Sequence, residues 1–134
     1  MNRYLDPRPD GKLHEMSVSG LAHVGDAVFE LMVRTWLCMN GKTTAKNLHN
    51  EAVAIVSAKA QASAAKRLIP ELDENELALY KRGRNTHAGP VPRSSSVGEY
   101  HSATGIETLF GWLYLNGDKD RLEELFKLIT EENQ

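Results

Sequence analysis

Apolar residues recur at helical spacing from Leu21 to Trp36, and one carboxylate breaks the pattern. Leu21, Val24, Val28, Leu31, Met32 and Trp36 form the expected inward stripe of one long helix. Asp26 sits among Val24, Ala27 and Val28. An ionised carboxylate in such company costs several kcal/mol unless a cation or strong donors meet it. A second isolated acid, Glu107, occupies a similar run, Ile106-Glu-Thr-Leu-Phe-Gly-Trp-Leu-Tyr-Leu115. Two such acids, remote in sequence, suggest a divalent metal between two packed helices. Each also has a plainer reading. Asp26 can accept from a neighbouring helix end or pair with an arginine. Glu107 can be a first-turn acid capped by Thr104.

The rest of the chain predicts helices and no strands. The first helix starts near Ser17 or Ser19 and ends near Met39, before Asn40-Gly41. Residues 1–16 hold Pro7, Pro9 and Gly11 and read as an extended lead-in to one helical domain, 17–134. Thr43 or Thr44 caps a short helix through Leu48, and an alanine-rich helix covers about Glu51 to Leu68, with Val53, Val56, Ala60 and Ala64 on one stripe. Pro70 ends it. Asp73 and Glu76 form a capping box for a helix that stops near Gly83 or Asn85. Residues 86–98 are a loop, residues 100–115 a helix, and Asp118 caps the last helix, with Leu122, Leu125, Phe126 and Ile129 inward. Glycines 25, 105 and 111 beside the two acids allow close approach of a helix or ligand, although Gly25 costs its helix about 0.8–1.0 kcal/mol against Ala.

The net charge of -2 conceals segregation. Residues 41–67 and 81–93 each carry a net +4, residues 68–80 a net -4 and residues 118–134 a net -3. A local basic face serves a polyanion whatever the overall balance. Lys81-Arg-Gly-Arg-Asn-Thr-His87 and Arg93 suit phosphate oxygens, and Gly83 among them would let a phosphate approach the backbone. A basic helix end complementing its dipole explains the same residues without a ligand. No aromatic is interleaved, so contact along a duplex backbone fits better than base stacking. The single cysteine, Cys38, forms no intrachain disulfide and is consistent with a reducing cytosol. No zinc-site spacing, phosphate-cradling loop or nucleophile elbow occurs. No apolar run is long enough to span a membrane, and the N-terminus lacks the shape of a signal peptide.

His23-Val-Gly-Asp-Ala-Val-Phe-Glu30 resembles the signature helix of the ribonuclease III catalytic domain. Thr104-Gly-Ile-Glu-Thr-Leu-Phe-Gly-Trp-Leu-Tyr-Leu115 resembles that family's later helix. Val56-Ser-Ala-Lys-Ala-Gln61 and Lys81-Arg-Gly-Arg-Asn85 are similar to the Mini-ribonuclease III subgroup, which has the catalytic domain only. The resemblance covers essentially the whole chain. It implies an all-α ribonuclease III catalytic domain fold and a magnesium-dependent endonuclease of double-stranded RNA, with Mn2+ able to substitute. It implies a cytoplasmic homodimer that matures the 23S ribosomal RNA precursor, with a ribosomal protein as a possible presenter of substrate. Asp26 and Glu107 match the family's catalytic, metal-binding acids. Lys59, Lys81, Arg82, Arg84, Asn85 and Arg93 are the expected RNA contacts, and Phe29 and Trp36 the expected dimer contacts. The family carries further acids where Ala22 and Thr104 stand, and their loss motivates an alternative: a non-catalytic RNA-binding scaffold of ribosome assembly on the same fold.

Overall fold

The computed structural model describes residues 3–9, 11–41, 44–86, 91, 93 and 96–131. Six α-helices occur among them: α1 (Val18–Met39), α2 (Ala45–Val56), α3 (Ala58–Leu68), α4 (Glu74–Arg84), α5 (Val97–Leu115) and α6 (Lys119–Thr130). Short 3-10 turns cover Gly11–Glu15 and Ile69–Glu71, and no strand occurs among the described residues. The all-α expectation holds.

Helix starts follow their caps. Ser17 accepts from Gly20 N, Thr44 from Asn47 N and Ser57 from Ala60 N. Asp73 and Glu76 make the expected capping box. Three boundaries differ from expectation. Helix α2 runs past Leu48 to Val56, and Ser57, with extended backbone (φ -61°, ψ 153°), separates it from α3. The expected continuous stripe is therefore broken, and Val53 lies exposed. Helix α5 starts at Val97 through a second capping box, Ser96 with Glu99. Thr104 lies inside α5 and caps nothing; its hydroxyl donates to Tyr100 O at 3.1 Å. Asp118 precedes α6 but makes no capping bond, and accepts instead from Asn116 Nδ2 at 2.8 Å.

Helix α5 is the centre of the molecule. Its residues from Ala103 to Gly111 are all buried except Glu107. Helices α1, α3, α4 and α6 pack around it. Two of these seams bring backbones into contact. A Cβ on Gly25 would overlap the Glu107 carbonyl oxygen and stand 2.8 Å from Gly111 N. A Cβ on Gly111 would overlap the Leu21 carbonyl oxygen. On the other side, a Cβ on Gly105 would meet the Tyr80 ring at 2.6 Å and Tyr80 O at 2.8 Å.

This close seam selects the buried face of α1. Leu21, Gly25, Phe29, Val33 and Leu37 face the core, one every fourth residue. Of the stripe expected to be inward, Val24, Val28, Met32 and Trp36 are only partly buried and Leu31 is 60 % exposed. Phe29 is a core residue, packed edge-on to Phe110 at 5.4 Å and Phe126 at 6.2 Å, and is no surface contact. Glu76, read as a cap alone, also receives Arg121 Nε at 2.7 Å, which fixes α6 to α4 and holds the Glu76 carboxyl below its ordinary range. The lead-in is tied to α5 and α6: Lys119 Nζ lies 2.8 Å from Asp6 Oδ1, Tyr114 donates to Tyr4 O, and Leu13 is buried.

Candidate active site

The Gly25–Gly111 contact has a consequence one residue away on each helix. Asp26 follows Gly25 around α1 and emerges at the exposed edge of the seam. This corrects the expectation of an acid immersed in apolar surroundings: Gly25 faces α5, and Asp26 faces out. Its half-buried partner is Glu107. Its carboxyl is within hydrogen-bond reach of Asp26. Burial, then Asp26, pushes it up from an ordinary value near 4.5 to about 8. Desolvation and a neighbouring like charge both disfavour ionisation. Among the described residues no cation counters that rise; only the Gln61 amide pulls the other way.

Two apposed carboxyls, one starved of water, are a donor set for a hard divalent cation. Magnesium takes oxygen ligands and is often held by one or two carboxylates plus waters and substrate phosphates. Among the described residues no group of three or more His, Cys, Asp or Glu side chains gathers for a metal. The two acids thus fit such an ion if water and RNA phosphate complete its shell. Ala22 and Thr104 add no carboxylate, and the Thr104 hydroxyl is used within its own helix.

The sequence reading overlooked Gln61. It is 2 % exposed, in a run of small residues on α3, and its amide faces Glu107. A lone polar side chain among Ala60, Ala62, Ala64 and Ala65 was the signal available.

The expected RNA contacts form a separate group. Lys81, Arg82, Arg84 and Asn85 lie on the last turn and cap of α4. Lys81, Arg82 and Asn85 are exposed, while Arg84 lies 5.8 Å over the Tyr80 ring. Gly83 is no phosphate cradle: it is buried, and a Cβ there would stand 2.9 Å from Gly105 Cα and collide with Thr108. That contact docks the basic end of α4 onto α5 at Gly105 and Thr108. Lys59 is exposed on the first turn of α3, two residues before Gln61, and Arg93 is exposed in the connection to α5. His87 lies outside the described residues.

Comparison with known proteins bears on the family and the fold. The family description "Ribonuclease III domain" matches residues 19–118, which include both acids. The chain is 39% identical to a Mini-ribonuclease 3 of Clostridium tetani over 87% of this chain and 78% of that one. It is 42% identical to a Mini-ribonuclease 3 of Enterococcus faecalis, over 85% and 91% of the two chains. A crystal structure of a protein from Fusobacterium nucleatum superposes with a TM-score of 0.83 at 29% identity, covering 93% of this chain and all of the other. With the helical fold and these matches in agreement, the chain belongs to the ribonuclease III domain family.

Proposed function

We propose that Asp26 and Glu107 hold the divalent cation with which this ribonuclease III-type endoribonuclease cuts double-stranded RNA, and that its substrate is the 23S ribosomal RNA precursor. The observation that carries the reading is the partly desolvated Glu107 carboxyl apposed to Asp26. Such a pair calls for a cation, because burial and the neighbouring acid disfavour the ionised state of Glu107. A bound magnesium or manganese ion would supply a water of lowered pKa for in-line attack and a counter-charge for the leaving oxygen. Glu107 anchors the site from the half-buried side of the seam, and Asp26 stands at the edge where a phosphodiester can arrive. Lys59, Lys81, Arg82, Arg84, Asn85 and Arg93 would hold the duplex backbone, Arg82 and Arg84 by forked donors. The similarity to Mini-ribonuclease 3 relatives supports the endoribonuclease reading; the ribosomal substrate is what the subgroup resemblance implies.

The chain would act as a homodimer, placing one site on each strand. Support comes from the unpartnered apolar face of α1. Leu5, Val24, Ala27, Val28 and Leu31 line a hollow of about 460 Å3 that also reaches Leu122. A second copy covering it would use these residues and not Phe29. No helix among the described residues is long and apolar enough to cross a membrane, and an exposed, unpaired Cys38 is in keeping with a cytoplasmic site of action.

The loss of carboxylates at Ala22 and Thr104 favours one other reading, an RNA-binding assembly scaffold. One experiment separates the two. The purified chain, sedimenting as a dimer, should shorten a duplex stem of the 23S precursor in magnesium. Asp26→Asn should bind the same stem and leave it whole, a loss of at least about 3 orders of magnitude, equivalent to roughly 4 kcal/mol of transition-state stabilisation. A wild-type protein that shifts the stem without cutting it supports the scaffold, and undiminished cleavage by Asp26→Asn removes Asp26 from the reaction.

A further inference from the structure

We infer that Gln61 is a positioning residue for Glu107: its amide, anchored to the last carbonyl of α2, holds the Glu107 carboxylate facing Asp26 and so preorganises the cation site. The inference rests on the cation-binding reading given above.

The anchor is the break at Ser57. Helix α2 ends at Val56, leaving a terminal carbonyl without a partner inside its own helix. Gln61 Nε2 donates to that carbonyl at 2.9 Å. The backbone of Gln61 is fixed from the same break, its N–H donating to Ser57 O at 2.9 Å. An amide nitrogen has two donors. One is committed to Val56, and the amide also faces the Glu107 carboxyl. Gln61 thus links the α2–α3 break to the acid on α5, the helix against which α3 packs.

Packing alone does not account for this residue. Gln61 Oε1 is buried and, among the described residues, has no hydrogen-bond partner. A buried polar atom left so costs about 1–3 kcal/mol. Methionine would fill similar space without that cost. The amide is therefore kept for what it does to its neighbour. Side chains that orient a metal ligand in this way alter metal affinity by about 10–100-fold when replaced.

The test is Mn2+ binding to the full, RNA-free chain, read from the electron paramagnetic resonance of free Mn2+. Gln61→Met keeps the bulk and removes the amide, and Gln61→Ala is a second, independent removal. Thermal unfolding of each cation-free variant is recorded beside it. Both variants should unfold cooperatively and bind Mn2+ about 10–100-fold more weakly than wild type. A merely structural Gln61 would instead lower the melting temperature and leave Mn2+ affinity at the wild-type value; that result in either folded variant overturns the inference. Asp26→Asn and Glu107→Gln serve as references. If those two bind Mn2+ as wild type does, the cation site itself is refuted and Gln61 loses its role with it. If they abolish binding while Gln61→Met and Gln61→Ala do not weaken it, only the Gln61 role fails.

Discussion

Glu107→Gln should raise the melting temperature of the cation-free protein at pH 8 while eliminating RNA cleavage. The carboxyl has an ordinary value near 4.5 and is pushed up to about 8 in the folded protein. Between those two values the folded state binds more protons at this site than the unfolded state. Stability contributed by Glu107 is therefore greatest below about pH 4.5 and falls as pH rises through the window to about 8. Glutamine keeps the shape and cannot ionise, so its stability should be flat across the same window at this site. With allowance for partial exposure, the gap at pH 8 and above is on the order of 2–3 kcal/mol, or roughly 6–10 °C in melting temperature. Magnesium added at pH 8 should recover the deficit in wild type and do nothing for Glu107→Gln, because an ion that binds only the folded form stabilises it. Thermal unfolding at pH 5 and pH 8, with and without magnesium, reads all of this. A wild-type melting temperature identical to that of Glu107→Gln at pH 8 would show that the acid is neither crowded nor desolvated.

Gly25→Ala should prevent folding at growth temperature, with a cost above about 4 kcal/mol. The added Cβ would occupy the position of the Glu107 carbonyl oxygen, and backbone cannot swing away as a flexible side chain can. Gly111→Ala meets the Leu21 carbonyl oxygen from the other helix and should behave alike. Parting α1 from α5 would also carry Asp26 away from Glu107, so any folded residue of either variant should have lost cation binding. Gly98 is the control. Among the described residues a Cβ there has nothing within 4 Å, and the position is helical. Gly98→Ala should be neutral or stabilising by up to about 1 kcal/mol. Circular dichroism melts of the three variants check the ranking; a Gly25→Ala protein as stable as Gly98→Ala would contradict the backbone contact.

Much of the architecture was legible where a side chain acts on its own backbone. Ser17, Thr44 and the Asp73–Glu76 pair mark their helix starts because a cap is a local bond. The break at Ser57 was hidden by the alanines on either side, which favour helix whether or not it is interrupted. Ser96 with Glu99 and Thr104 with Glu107 have the same spacing, and only packing shows that the second lies mid-helix. On α1 both faces are apolar, so hydrophobicity could not say which is buried. Gly25 decides it, since the smallest residue allows the closest neighbour. The same fact explains why the surroundings of Asp26 and Glu107 are the reverse of those expected: the acid among valines is exposed, and the acid that looked like a surface helix start is half-buried in the middle of α5. Gln61 was invisible as a site residue because its meaning depends on Val56 and Glu107, partners that only the fold supplies.

The most direct measurement is a crystal of the RNA-free chain soaked in manganese, with the ion located by its anomalous scattering. The account predicts one strong peak between the Asp26 and Glu107 carboxylates, at about 2.0–2.3 Å from an oxygen of each, absent from Glu107→Gln crystals treated alike. A peak bound elsewhere, or a well-ordered pair of carboxyls with no manganese between them, would contradict it.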